Sequence, residues 1–421
     1  MPRQVSLSGP VGAGRRRSVI VRGKSTSDDR LIDICIEGDH VAAVADAQPG
    51  KPPALGGEAW HVAPGLFDIQ VNGFAGHDYN APPFGDASVQ AIVDALLALG
   101  VTQHLPTVVT GSHRRMLASV RAVVSARQER RIAQALPGLH LEGPYISPAD
   151  GPRGAHPVKH VRPPDWDEFQ QFQEAAEGLI RLVTLSPEWD GAAAFIAKLV
   201  AAGIVVALGH TNMTAEQMQA AVDAGARLST HLGNGSHATL DRHNNYFFQQ
   251  LAEDRLWASL IVDGHHLPPA LTKIIARAKG AERLVLVSDA VAAANGRRSS
   301  ANGRRSSAGM PPGVHQFGDL RVEVSETKRV SLPGTPYLAG SALDLPSGIE
   351  NVIRFAGVSL TDAIDMATRN PWELLSGPEH GRGLVPGAPA DLVLFKWHDE
   401  HKQLELTHTI AAGEVVFAAA R

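Results

Sequence analysis

The sequence predicts an α/β protein: a (β/α)8 barrel of the TIM type joined to a small β-sandwich domain built from the N- and C-terminal segments. Three observations predict it. After Pro64-Gly65 the text changes to short apolar runs separated by helical stretches of ten or more residues, the pattern of βα units around a parallel sheet. Eight such runs can be counted, the number that closes this kind of barrel. Strand-like text also stands before and after the repeat, and 421 residues exceed what a single core usually organises.

Taken in order, residues 1–17 hold Pro2, Gly9, Pro10, Gly12 and Gly14 with no apolar core, so they read as a loose tail that resembles neither a signal peptide nor an anchor. From Leu31 to Glu37 the side chains alternate, with Ile32, Ile34 and Ile36 on one face. Gly38-Asp39 then turns the chain into Val41–Val44, giving a hairpin outside the repeat. The expected barrel strands are Leu66–Val71, Val101–Leu105, Leu139–Leu141, Ile180–Leu185, Val205–Leu208, Arg227–Ser229, Ala258–Ile261 and Leu284–Val287. Helix Ser88–Leu99 illustrates the intervening pattern: Ile92, Ala95, Leu96 and Leu99 recur at helical spacing, Ser88 is placed to cap it and Gly100 to end it. Beyond the eighth strand, NGRRSSA at Asn295–Ala301 repeats letter for letter at Asn302–Ala308, too short and polar for a structural repeat and expected to be a mobile loop. Helices at Ala342–Ala356 and Leu360–Thr368 follow, and strands at Ala390–Phe395 and Gly413–Ala418 are expected to rejoin the hairpin. The division is therefore a tail at 1–17, a small β domain at 18–62 plus 382–421, and a barrel at 63–381.

Composition narrows the function classes. Hydrophobic residues make up 44% and charged residues 19%, ordinary globular usage that argues against disorder and against a membrane protein. The net charge of −4 and scattered basic residues give nucleic-acid binding no support. Cys35 is the single cysteine, which excludes an intrachain disulfide and cysteine-rich zinc modules and suits a cytoplasmic location.

Parallel barrels carry their functional side chains at the C-terminal ends of the strands. Here those ends read His140-Leu141-Glu142-Gly143-Pro144 on strand three, Gly209-His210 on strand five, Thr230-His231 on strand six and Ser288-Asp289 on strand eight. One carboxylate and two imidazoles suit a divalent metal that keeps a position open for water, and a carboxyl opposite them suits proton transfer to a leaving nitrogen. Each residue alone has a plainer reading: a strand-end histidine is commonly a hydrogen-bonded barrel residue, and Glu142 is able to pair with an arginine. Four together in one barrel point to a metal-dependent hydrolase.

The motifs PGLFDIQVNG (Pro64–Gly73), HLEGPYISP (His140–Pro148), THLGNG (Thr230–Gly235), DGHH (Asp263–His266), LVSDA (Leu286–Ala290) and LAGSAL (Leu338–Leu343) occur in this order. With them the chain resembles the N-acetylglucosamine-6-phosphate deacetylases of the amidohydrolase superfamily, from about Ile32 to Val416. The resemblance implies hydrolysis of the N-acetyl group of N-acetylglucosamine 6-phosphate, in a cytoplasmic homodimer. It also implies one divalent metal per chain, zinc foremost with iron, manganese or cobalt as alternatives, held by Glu142, His210 and His231. Many amidohydrolases bind metal through an HxH pair on strand one, where this chain has Gln70 and Asn72. Asp289 matches the catalytic acid/base, while His156, Asn234, Gly235, Arg242, His266 and Leu338 match substrate-contacting positions. Asn234-Gly235-Ser236 and Arg242-His243-Asn244-Asn245 depart from the family's usual text, which leaves open another N-acyl amino sugar or an N-acyl amino acid as substrate, and because fold alone does not prove activity a non-catalytic sugar-binding barrel stays as the other alternative.

Overall fold

A computed structural model describes residues 18–419 except 49, 51, 295–309, 318, 319 and 380. The tail at 1–17 and the duplicated NGRRSSA segment lie outside the described residues.

Eight parallel strands stand side by side in chain order: Leu66–Val71, Val101–Val109, Leu139–Glu142, Ile180–Leu185, Val205–Leu208, Leu228–Ser229, Trp257–Leu260 and Leu284–Leu286. Their period-2 alternation divides the core. Phe67, Ile69, Leu182, Val205, Ala207, Val285 and Val287 pack inside the barrel. Leu66, Val71, Val183, Val206, Leu208, Leu284 and Leu286 face outward into the layer beneath the helices. Trp372, on the helix Arg369–Ser376, stacks on Phe67 with ring centroids 4.4 Å apart and plugs the end opposite the strand C-termini. The functional end is left as the open one.

The barrel closes between its eighth and first strands without a regular ladder. The seam is held instead by the single bridge Val71–Ala290, by Asp289 N–H donating to the Gln70 carbonyl (3.0 Å), and by the Asp68 carboxylate accepting from the Ser288 N–H at 3.2 and 3.3 Å.

Helix boundaries correct the sequence reading in places. The first barrel helix runs Asp86–Leu97 rather than Ser88–Leu99, and Gly85 stands at its N-cap without a side-chain bond. Ser88 therefore lies inside the first turn, where the acidic Asp86 complements the helix dipole. The helix expected from Ala342 begins at Leu345, because Asp344 caps it by accepting from Ser347 N–H at 2.8 Å. The span 360–368 is helical only over Leu360–Asp365, and a separate helix follows at Arg369–Ser376.

The two ends of the chain interleave in one seven-stranded mixed sheet. Leu392–His398 pairs with Leu55–Pro64, and Leu31–Glu37 pairs with His40–Asp46. The sheet folds over a shared core of Val21, Ile32, Ile34, Ile36, Val62, Leu392, Leu394 and Ile410. Glu350, fully buried on helix Leu345–Ala356, accepts from Leu404 N–H (2.9 Å) and ties this sheet to the barrel. Where the folded sheet meets itself, Gly413 has φ +78°, and a Cβ there would stand 2.0 Å from the Gly38 carbonyl oxygen. Gly413→Ala is expected to destabilise the protein by about 1–3 kcal/mol through strain and overpacking, read as a lower urea midpoint at unchanged slope. An unshifted midpoint would show that the sheet does not depend on this contact.

Candidate active site

Three of the residues singled out at strand ends converge. Glu142 ends the third strand, while His210 and His231 lie just past the fifth and sixth. All three are buried, and their ligand atoms lie within 4.8 Å of one another. His231 Nε2 is 3.0 Å from Glu142 Oε1 and 3.1 Å from His210 Nε2, and His210 Nε2 is 3.4 Å from Glu142 Oε1. His210 donates from Nδ1 to the Pro152 carbonyl (2.9 Å), which directs its Nε2 at the other two residues. One carboxylate and two imidazoles whose Nε2 atoms meet at such short range fit a divalent cation, which these three residues would hold. Burial alone would push Glu142 up; the His210 and His231 imidazoles outweigh it and hold the carboxyl well below its usual range.

Asp289 stands beside this cluster, separated by one amide group. Gln70 Nε2 donates to Glu142 Oε1 at 3.0 Å and to Asp289 Oδ1 at 3.1 Å, and Asn72 Nδ2 donates to the same Asp289 oxygen at 2.7 Å. Gln70 and Asn72 thus spend their N–H groups orienting two carboxylates. Burial first, and the negative charge of Glu142 second, push Asp289 up to about 7. His210, His231 and Asp289 have φ values of +49°, +30° and +48°, a region that non-glycine residues seldom occupy and that collects at functional sites.

These groups open on a cavity of about 270 Å³ whose wall includes His156, Asn234, Gly235, His266 and Leu338. Its polar side comes from the strand ends, and its apolar side from Val291, Leu320, Val322 and Ala339, part of one hydrophobic cluster laid over the mouth.

The sequence profile of the amidohydrolase family matches residues 61–416. The chain belongs to the amidohydrolase family. It is 30% identical over 357 residues to an N-acetylglucosamine-6-phosphate deacetylase of Bacillus subtilis, covering 84% of each chain. It is 32% identical over 355 residues to an N-acetylgalactosamine-6-phosphate deacetylase of a Shewanella species, covering 84% of this chain and 83% of the relative. A mutant N-acetyl-D-glucosamine-6-phosphate deacetylase of Mycobacterium smegmatis, solved in complex with N-acetyl-D-glucosamine-6-phosphate, superposes with a TM-score of 0.83 at 31% identity, covering 95% of this chain and all of that one.

Around this amidohydrolase centre the remaining residues take distinct places. His156 brings Nε2 to 3.3 Å from His210 Nε2, and burial drives its imidazole well below the ordinary value, so it faces the cavity uncharged. Gly235 has φ +55°, and a Cβ there would fall 2.6 Å from His210 Nδ1; the glycine is what lets the chain pass this close to the cluster. Asn234 Nδ2 donates to the His231 carbonyl at 3.1 Å. Arg242 is exposed and absent from the cavity wall of this chain. The adjacent Asp241 accepts from His243 and Asn244 N–H and turns the chain there, before Asn245 caps helix Tyr246–Ala252. Arg115 does line the cavity, but its guanidinium donates to the carbonyls of Asn80, Val109 and Thr110. The orienting roles of Gln70 and Asn72, and a carboxylate behind His266, were not visible in the sequence, where their partners lie far away or inside a short motif.

Asp68 carries a pH signature of its own. Burial pushes its carboxyl up to about 7, against an unfolded value of about 3.9. Between those values the folded chain holds the extra proton, so this group's contribution to stability falls as pH rises through the window. Asp68→Asn keeps a carbonyl acceptor for Ser288 N–H without the titration. Its urea midpoint relative to the parent should therefore improve steadily from pH 4 to pH 8, and a constant difference would contradict the assignment.

Proposed function

We propose that this chain hydrolyses the N-acetyl group of N-acetylglucosamine 6-phosphate to glucosamine 6-phosphate and acetate. The observation that carries the reading is the convergence of Glu142, His210 and His231 beside a buried carboxyl, Asp289, that Gln70 and Asn72 orient. A divalent metal held by those three residues supplies Lewis-acid chemistry at that point. Asp289 accepts a proton from the attacking water as the new C–O bond forms at the acetyl carbon. It returns that proton to the nitrogen as the C–N bond breaks, which is required because an amide anion is a poor leaving group. Gln70 and Asn72 keep the Asp289 oxygen aimed through both transfers, and His156, Asn234, Gly235, His266 and Leu338 bind the sugar.

The same reading takes one metal per chain, because Gln70 and Asn72 present N–H groups to carboxylates where an HxH pair would present lone pairs. It takes a divalent metal, zinc foremost with iron, manganese or cobalt as alternatives that the same imidazole and carboxylate set suits, the cytoplasm because a lone cysteine suits a reducing compartment, and a homodimer by family likeness. A phosphate role for Arg242 would require its loop, or another copy of the chain, to carry it to the cavity. The Shewanella relative supports a second reading, the galactosamine epimer of the same substrate.

Acetate release from N-acetylglucosamine and N-acetylgalactosamine, each with and without 6-phosphate, tests the reading on metal-reconstituted protein. The glucosamine 6-phosphate derivative should turn over fastest, and silence on all four would overturn the deacetylase assignment. Asp289→Asn should retain metal and melting temperature while turnover falls about 10²–10⁴-fold; near-normal turnover would remove Asp289 from the mechanism. Elemental analysis should find one equivalent of tightly bound metal, and two would contradict the single-metal reading.

A further inference from the structure

Directly under the ion-binding cluster the barrel interior turns from apolar to polar. Leu105, Leu182 and Leu228 pack in the apolar interior. Two residues further along the same stretches of chain, and on the same inward face, stand Thr107, Thr184 and Thr230. His140 takes the equivalent place on the third strand, two residues before Glu142. All four are buried, none more than 3% exposed. They are joined across the barrel. His140 Nε2 lies 2.8 Å from Thr184 Oγ1, which in turn lies 2.8 Å from Thr230 Oγ1. On the other side Thr107 Oγ1, 3.4 Å from His140 Nδ1, accepts from the Val71 N–H of the first strand at 3.0 Å. The fifth strand makes way for this chain of bonds. A Cβ on Gly209 would stand 2.8 Å from Thr230 Cβ and 3.0 Å from Thr184 Cγ2, so the missing side chain is what leaves room for the two hydroxyls to meet.

Packing alone does not call for such a layer, because apolar side chains of the same shape would fill the space and leave no polar group to satisfy. Its place in the barrel does. Glu142 and His231 come from the third and sixth strands, which are not neighbours, and backbone ladders tie each strand only to the next. The bridge from His140 through Thr184 to Thr230 spans that gap one step below the ligands. We propose that Thr184 is a positioning residue for Glu142 and His231: by bonding His140 on one side and Thr230 on the other, it fixes the separation of the strands that carry them and holds the two at the spacing a divalent ion requires. This rests on the metal reading above and adds to it the residues that set how tightly the ion is held.

Two variants of one residue separate this role from plain packing. Thr184→Val keeps the shape and loses the hydroxyl, whereas Thr184→Ser keeps the hydroxyl and loses a methyl group. Both should lower the melting temperature modestly, so stability does not distinguish them. Zinc-loaded protein is titrated with a chelator of known affinity, and the zinc retained is measured. Thr184→Val should hold zinc about 10–100-fold more weakly than the parent, while Thr184→Ser should stay close to it. Thr230→Val, which breaks the same bridge at its far end, should lose a similar factor, and the double variant Thr184→Val/Thr230→Val no more than either alone. Thr230→Val and Thr230→Ser take the place of the first pair if Thr184→Val fails to fold. Unchanged zinc affinity in the valine variants, equal weakening by serine, or losses that add in the double variant would each overturn the proposal. A parent that retains no zinc, iron, manganese or cobalt would instead overturn the metal reading beneath it.

Discussion

The mouth of this barrel is organised around one buried negative charge, that of Glu142. An isolated carboxylate as deeply buried as Glu142 would be too costly to remain ionised, and it stays so only because positive or proton-bearing groups surround it. His210 and His231 provide that from the fifth and sixth strands, and Gln70 from the first. Removing any one exposes the others to the same penalty. The carboxylate therefore sets where four strand ends must sit, and the fold has to deliver them together. A barrel of parallel strands does so because every strand ends on the same rim.

The rim is not relaxed. His210, His231 and Asp289 all take the left-handed backbone region, and conformations of that kind cost on the order of 1–3 kcal/mol each. The surrounding bonds hold them there: His231 N–H donates to Ser259 Oγ at 2.7 Å, Asp289 N–H to the Gln70 carbonyl, and Ser341 N–H to the Asp289 carbonyl at 2.9 Å. The hydrophobic core below, with Trp372 closing its far end, provides the stability from which this strain is drawn.

Much of this was legible in the amino-acid text. All eight barrel strands stand where the short apolar runs placed them, the second running on to Val109, since buried strands must carry apolar side chains. The cluster Glu142, His210 and His231 was legible because strand-end polar residues stand out against that background. Helix ends were less so: Ser88 looks like a cap, yet Gly85 holds the position and the serine falls within the first turn, since capping depends on local geometry that composition does not fix. Arg242 illustrates the other limit. It matches a substrate-contacting position in sequence, but Asp241 turns the chain there and Arg242 is absent from the cavity wall of this chain. Gln70 was legible only as the loss of a histidine, because its partners Glu142 and Asp289 lie 72 and 219 residues away.

The irregular seam between the eighth and first strands gives chemistry and topology a common endpoint. Glu142, His210 and His231 come from strands three, five and six, so none of the three belongs to the seam itself. Asp289 reaches its place only when the eighth strand meets the first, through Gln70, Asn72 and the Asp68 bonds to Ser288. The three-residue cluster and the Asp289 carboxyl are thus anchored in different parts of the ring, and only the second depends on how the eighth strand meets the first.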